Sequence, residues 1–232
     1  MTKSFDEATS AIAEPSTETA EIAAPQALGS DFQGEIDQSD IATPRLDVVQ
    51  KIGALSEEFP AGTILLNRRV VLAEPSQPAS ITVVTAKKFY MEDLEWGAEE
   101  RPRIFMTKDD VKAAGLTLDW ADGVKPTAKN VLDCLVLAKA PEGSDAPEFN
   151  LSFDGERYAV AQWVIQSASS YNGAGKSLLT AKTMYLKQFA EQEFLLSADK
   201  KKLGGNMVYV PDVKQGKRNS EEFIQWATTL LN

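Results

Sequence analysis

The chain has no histidine and only one cysteine, Cys134. Without histidine the usual proton carrier near neutral pH is missing, and serine and threonine have no imidazole to activate them. One thiol and no imidazole are too few for an ordinary zinc site. A single cysteine also forbids a disulfide within the chain, which fits a reducing compartment. Cys134 lies in V-L-D-C-L-V-L, an apolar run that predicts a buried, unreactive side chain. No apolar run approaches the ~18 residues of a membrane helix, and the acidic N-terminus lacks the hydrophobic core of a secretory signal. The expectation is a cytoplasmic protein without membrane contact, cofactor, metal or catalytic site. Adjacent acids do occur, as Glu92/Asp93, Glu99/Glu100 and Asp109/Asp110. They fall on predicted loops or helix starts, where solvated surface explains them.

The 232 residues are 43% hydrophobic and 25% charged, with four Trp and ten Phe. That is the composition of a globular chain with a core. The net charge of −10 is unevenly spread. Residues 1–42 carry nine acids against one base, whereas residues 155–218 carry ten bases against five acids. The first segment is rich in Ala, Ser, Thr, Glu and Pro with scattered apolar residues, and reads as a disordered acidic tail. Residues 43–232 read as a single globular domain.

Within that domain the strand-like runs are 44–52, 80–90, 131–139, 157–166 and a segment around 207–210, with a hairpin over 62–72 centred on Asn67-Arg68-Arg69. Thr107-Lys-Asp-Asp110 has the form of a capping box for a short helix ending at Gly115. Ser220-Glu-Glu starts a helix with Phe223, Trp226, Ala227 and Leu230 on one face. Many strands and few helices, without a βαβ rhythm, predict an α+β, mostly β fold, an OB-like small barrel with added helices and loops.

The segment 157–218 carries the most distinctive pattern. A strand leads into the small-residue run S-A-S-S-Y-N-G-A-G, then Lys176-Ser177 and a helix. Gly173-Ala-Gly175-Lys176-Ser177 has the strand–turn–helix context of a phosphate loop. Ser170 replaces the first glycine of a full P-loop, and no acidic partner strand follows. A turn whose backbone N–H groups meet an anion, with Lys176 beside it, is the remaining reading; an ordinary helix start is the plainer one. At 100° per residue Leu178, Ala181, Tyr185 and Phe189 share one helix face, with Lys176 and Lys187 opposite. Two basic loops, Lys200-Lys201-Lys202 and Lys214–Arg218 (with Lys217), would form one patch if they met at one sheet end. Aromatics stand beside cations at Lys87-Lys88-Phe89-Tyr90, at Trp96 with Arg101 and Arg103, and at Tyr171 with Lys176. Such pairs suit stacking of bases next to a neutralised backbone. Tyr171 and Trp96, expected on loops, are the favoured stacking groups. Lys182 and Lys187 extend the phosphate track.

In the order of its parts (P-R-L-D-V-V-Q, then E-R-P-R-I-F-M-T, then W-V-I-Q-S-A-S-S-Y-N-G-A-G-K and a basic segment) the chain resembles single-stranded DNA-binding proteins of bacteriophages and prophages over roughly residues 41–215. The resemblance implies sequence-tolerant binding of single-stranded DNA, with RNA as the alternative. It also implies homo-oligomeric assembly, a role in phage replication or recombination in the bacterial host cytoplasm, and an acidic tail that recruits partner proteins. That tail is C-terminal in the family and N-terminal here. Two other readings stand beside it: a phage virion or assembly protein with an N-terminal arm that orders on a neighbour, and a nucleotide-binding protein using Gly173–Ser177.

Overall fold

The computed structural model describes residues 42–230 except Trp96 and Asp122; the expected acidic tail lies outside the described residues. Three strands form a small antiparallel sheet: β1 (Leu46–Val48), β2 (Ile64–Leu66) and β3 (Val70–Ala73). A short helix, α1 (Leu55–Glu58), lies between β1 and β2. The β2–β3 hairpin turns at Asn67 and Arg68, whose φ angles of 52° and 60° are those of a type I′ turn. That twist matches the strands, which is why an Asn opens the turn. The larger sheet runs in the order β10-β9-β4-β6-β8-β7, with β5 paired to β4. Its strands are β4 (Ala79–Glu92), β5 (Ile104–Phe105), β6 (Ala128–Lys139), β7 (Leu151–Phe153), β8 (Glu156–Ile165), β9 (Gln192–Leu203) and β10 (Asn206–Arg218). Every pairing within both sheets is antiparallel. The molecule is therefore mostly β, as composition and pattern predict.

The sequence β9-β4-β6-β8 is a Greek key. β4, β6 and β8 form a meander, and β9 returns through a long connection to pair with the other edge of β4, Ala79–Thr82 against Leu196–Glu193. Backbone pairing within the described residues does not close the sheet into a barrel. β1 is joined to β8 by a single parallel bridge, Arg45 to Gln162. On the far side of β1 the Gln50 side chain stands in for a strand: its Nε2 donates to the Tyr209 carbonyl at 2.8 Å and its Oε1 accepts the Tyr209 N–H at 3.0 Å.

The main core lies between these layers, with Ile81 and Val83 from β4, Cys134 and Val136 from β6, Ala161 and Trp163 from β8, and Phe194 and Leu196 from β9. Cys134 and Trp163 are buried as their apolar neighbours predict. Alternation of buried and part-exposed positions along β8 places one face on this core. The opposite face is covered at one end by helix α5 (Glu221–Thr229). Phe223 and Trp226 meet Phe153 and Tyr158 there, with ring centroids 5.2–5.5 Å apart. A third cluster, Tyr90, Val111 and Ala128, seats helix α2 (Lys108–Ala113). The capping box read at Thr107 and Asp110 is formed: the Thr107 hydroxyl accepts the Asp110 N–H, and the Asp110 carboxylate accepts the Thr107 N–H, both at 3.1 Å.

Candidate nucleic-acid interface

The glycine segment is not a turn. After β8, Ser167 caps helix α3 (Ala168–Ser170) by accepting the Ser170 N–H at 3.1 Å. A π-helical turn, Tyr171–Gly175, follows and runs into helix α4 (Lys176–Met184). The Lys176 N–H donates back to the Tyr171 carbonyl, so the backbone donors that a phosphate loop would offer are engaged inside a helix. Packing accounts for the glycines. A Cβ on Gly175 would lie 3.1 Å from the Tyr171 ring, and one on Gly173 would lie 3.4 Å from the Pro211 carbonyl oxygen. The small residues let Tyr171 fold under its own helix and let the helix approach β10. Tyr171 is thus a core residue, 8% exposed, and the expectation of a loop aromatic is corrected.

Helix α4 is also shorter than its periodicity suggests. Leu178 and Ala181 are buried as expected, but the helix stops at Met184 and Tyr185 is exposed. Phe189 packs into the core from a separate 3-10 turn, and Lys187 lies in the connection rather than on a helix face. Lys182 turns back on that connection, its Nζ donating to the Lys187 carbonyl at 2.8 Å and the Leu186 carbonyl at 3.5 Å. It holds the helix end rather than extending a track.

The two basic runs are strands, not loops, and do not meet. Lys200, Lys201 and Lys202 pair with Tyr209, Val208 and Met207 near the tip of the β9–β10 hairpin. Lys214 pairs with Leu195 and Arg218 with Gln192 near its other end. At ~3.4 Å per residue, Lys217 lies roughly 30 Å from the partner of Lys201. Lys200–Lys202 are exposed beside the tip at Gly204-Gly205, where φ angles of 54° and 92° make another tight turn. Arg218 is tied to Glu191 at 3.1 Å and to the Tyr185 carbonyl at 3.2 Å. Lys217 is exposed, its N–H donating to Glu193 at 3.3 Å. Lys214 joins Lys176 on the walls of a groove between α4 and β10.

On β4 the aromatic–cation run splits between two faces. Lys88 and Tyr90 turn toward the helix side: the Lys88 Nζ donates to the Tyr90 hydroxyl at 3.2 Å and lies 6.0 Å from the Tyr171 ring centroid. Burial lowers the Lys88 pKa, but the Tyr90 and Tyr171 hydroxyls outweigh it and leave it above its ordinary value, so Lys88 stays charged. Tyr90 is buried. Lys87 and the half-buried Phe89 take the other face. Lys87 stands opposite Asp133 across the β4–β6 ladder, and Asp133 accepts two 3.0 Å bonds from Gln162 on β8.

The connection from β4 to β6, residues 93–127, carries the remaining candidates. Trp96 lies outside the described residues. Arg101 is exposed. Arg103 forms a bidentate pair with Glu92, both contacts 2.9 Å, and stacks 5.7 Å over Phe105. Hydrogen bonding from Arg103 holds the Glu92 carboxyl below its usual range. Trp120, on the same connection, is 69% exposed. The sequence pattern does not single it out, although the polar and glycine residues around it, Asp119 and Gly123, give a tryptophan nothing to pack on. Among the described residues no helix is long and apolar enough to cross a membrane.

No family model, curated protein or solved structure matches this chain.

Proposed function

We propose that this protein binds single-stranded nucleic acid, DNA before RNA, with little regard to sequence and without catalysing a reaction. The observation that supports it is the connectivity. A Greek key with a helix in its long connection, extended by one hairpin strand, is the route of an OB-like barrel: β4, β6 and β8 as strands one to three, β9 and β10 as strands four and five. Barrels of this kind bind oligonucleotides on the face of strands two and three, between the loop joining strands one and two and the loop joining strands four and five. The first of those loops here is the 93–127 connection, with Trp96, Arg101, Arg103 and Trp120. The second is the Gly204-Gly205 tip, flanked by Lys200–Lys202. Lys87 and Phe89 lie on β4 toward the first of these loops, beyond the part of the face that α5 covers, and the hairpin tip lies past the other end of β4, beyond Ala79. Bases stack on Trp120 and Phe89, and the lysines neutralise the backbone.

The likeness to phage single-stranded DNA-binding proteins belongs to this proposal, as do a part in replication or recombination and self-assembly along the strand. Titration with fluorescent single-stranded and duplex oligonucleotides at low salt tests the reading. Preferential binding of the single strand is expected, and no binding where electrostatic attraction is strongest overturns it.

A further inference from the structure

The groove between α4 and β10 lies apart from the two loops of the proposed binding face. Its volume is about 450 Å³, within the range of ligand sites. Lys176 and Lys214 stand on its walls, Ser177 and Thr180 offer hydroxyls from α4, and Phe194 and Val213 form an apolar floor. No carboxylate lines it among the described residues, although the chain as a whole carries a charge of −10.

The hydroxyls are uncommitted. Thr183, farther along α4, returns its hydroxyl to the Leu179 carbonyl at 2.8 Å. Ser177 and Thr180 make no such bond among the described residues, and neither lysine forms an ion pair there. Of the neighbouring cations, Arg218 is engaged by Glu191 and Lys182 by two carbonyls, while Lys187 and Lys217 form no ion pair among the described residues. Two unpaired ammonium groups and two free hydroxyls, over an apolar floor, match one chemical unit. The phosphate of a nucleotide takes the charges and hydroxyl donors, and its sugar lies on Phe194 and Val213.

We propose that this groove is a nucleotide subsite, seating one phosphate and its sugar outside the sheet face. It rests on the single-strand reading and adds a second point of attachment, at the capping helix. The phosphate comes either from within a bound strand or from a free nucleotide, and the test separates the two.

Oligothymidylate affinity is measured by fluorescence anisotropy across a salt series for the wild type, for Lys176→Gln/Lys214→Gln, and for Thr180→Val. Both lysines are exposed, and unchanged circular dichroism and melting temperature establish that the variants are folded. Each phosphate contact contributes ~0.7 to the slope of log K against log salt for single strands, so the double variant, which gives up the one phosphate seated here, loses about 0.7. Thr180→Val weakens binding about threefold to tenfold at unchanged slope. If the wild type binds and the double variant keeps its slope and affinity, the subsite is refuted while the single-strand reading stands. If the wild type does not bind oligonucleotide, that reading fails, and the groove is judged by thymidine monophosphate alone. A rise in melting temperature that is lost in the double variant then assigns it to free nucleotide; no rise overturns the subsite.

Discussion

At the scale of single residues, burial and local pairing decide what each candidate can do. Cys134 sits at 0% exposure, and burial, reinforced by the Asp133 charge, pushes its thiol up to about 12. The thiol is therefore neutral and shielded at physiological pH. A disulfide reagent is expected to leave the native protein unmodified at pH 8 and to titrate one thiol per chain in denaturant; rapid native modification would contradict the burial. Gln50 makes a different kind of contribution. Its amide satisfies both backbone groups of Tyr209 on the open edge of β10. Gln50→Ala frees that pair to water and is expected to lower stability in urea by about 1 kcal/mol. Close by, Gly62 has φ +97°, and a Cβ there would lie 2.7 Å from the Tyr209 ring. Gly62→Ala is expected to cost about 1–3 kcal/mol, because backbone strain and the clash act together. Equal stability of the two variants and the wild type would mean that this contact does not hold β1 to β10.

At the scale of elements, the sequence was most informative where local rules act alone. The Thr107 capping box, the Asn67-Arg68 hairpin, the long β-branched strand β4 and the apolar face of α5 follow from neighbouring residues, and all are present. The segment 167–175 misled because its composition suits a turn while its environment demands a helix. Tyr171 needs a glycine under its ring, and β10 needs one beneath Pro211, and neither partner is visible from the segment itself. The short strand β7 went unread, although Asp154-Gly155, with φ angles of 49° and 77°, marks its hairpin with β8. The meeting of Lys176 with Lys214 depends on the packing of α4 against β10, and the separation of Lys200–Lys202 from Lys217 on the β9–β10 register; no local pattern fixes either. Helix α5 supplies a test at this scale. Phe223 is 6% exposed and packs edge-on against Phe153 at 5.2 Å. Phe223→Ala is expected to cost about 3–4 kcal/mol in urea and to expose the sheet face that α5 covers. A loss under about 1 kcal/mol would show that the helix is only loosely attached.

At the scale of the whole molecule, charge distribution and strand connectivity point the same way. Exposed lysines stand on the β9–β10 hairpin, on β4 and in the α4 groove, and also at Lys51, Lys108, Lys112 and Lys187, while several other cations are tied into ion pairs. Asp93, for example, is pushed up by burial but drawn below its usual range overall by hydrogen bonds and charge from Lys125 and Lys129. A carboxyl depressed in the folded state contributes stability above its unfolded pKa and loses it as pH falls through the folded value. The loop joining β4 to β6 is therefore expected to lose stability as pH falls through the folded Asp93 value, read as a change in Trp120 fluorescence that Trp120→Phe removes. The central claim is that single-stranded nucleic acid is held by the cations of that loop and of the hairpin tip. Its most direct test is oligothymidylate binding over a salt series for the wild type and for Lys200→Glu/Lys201→Glu/Lys202→Glu. The account predicts tight binding at low salt, and in the variant a loss of at least about tenfold with a shallower salt slope. Binding of equal strength and slope in both proteins, or none in the wild type, would contradict it.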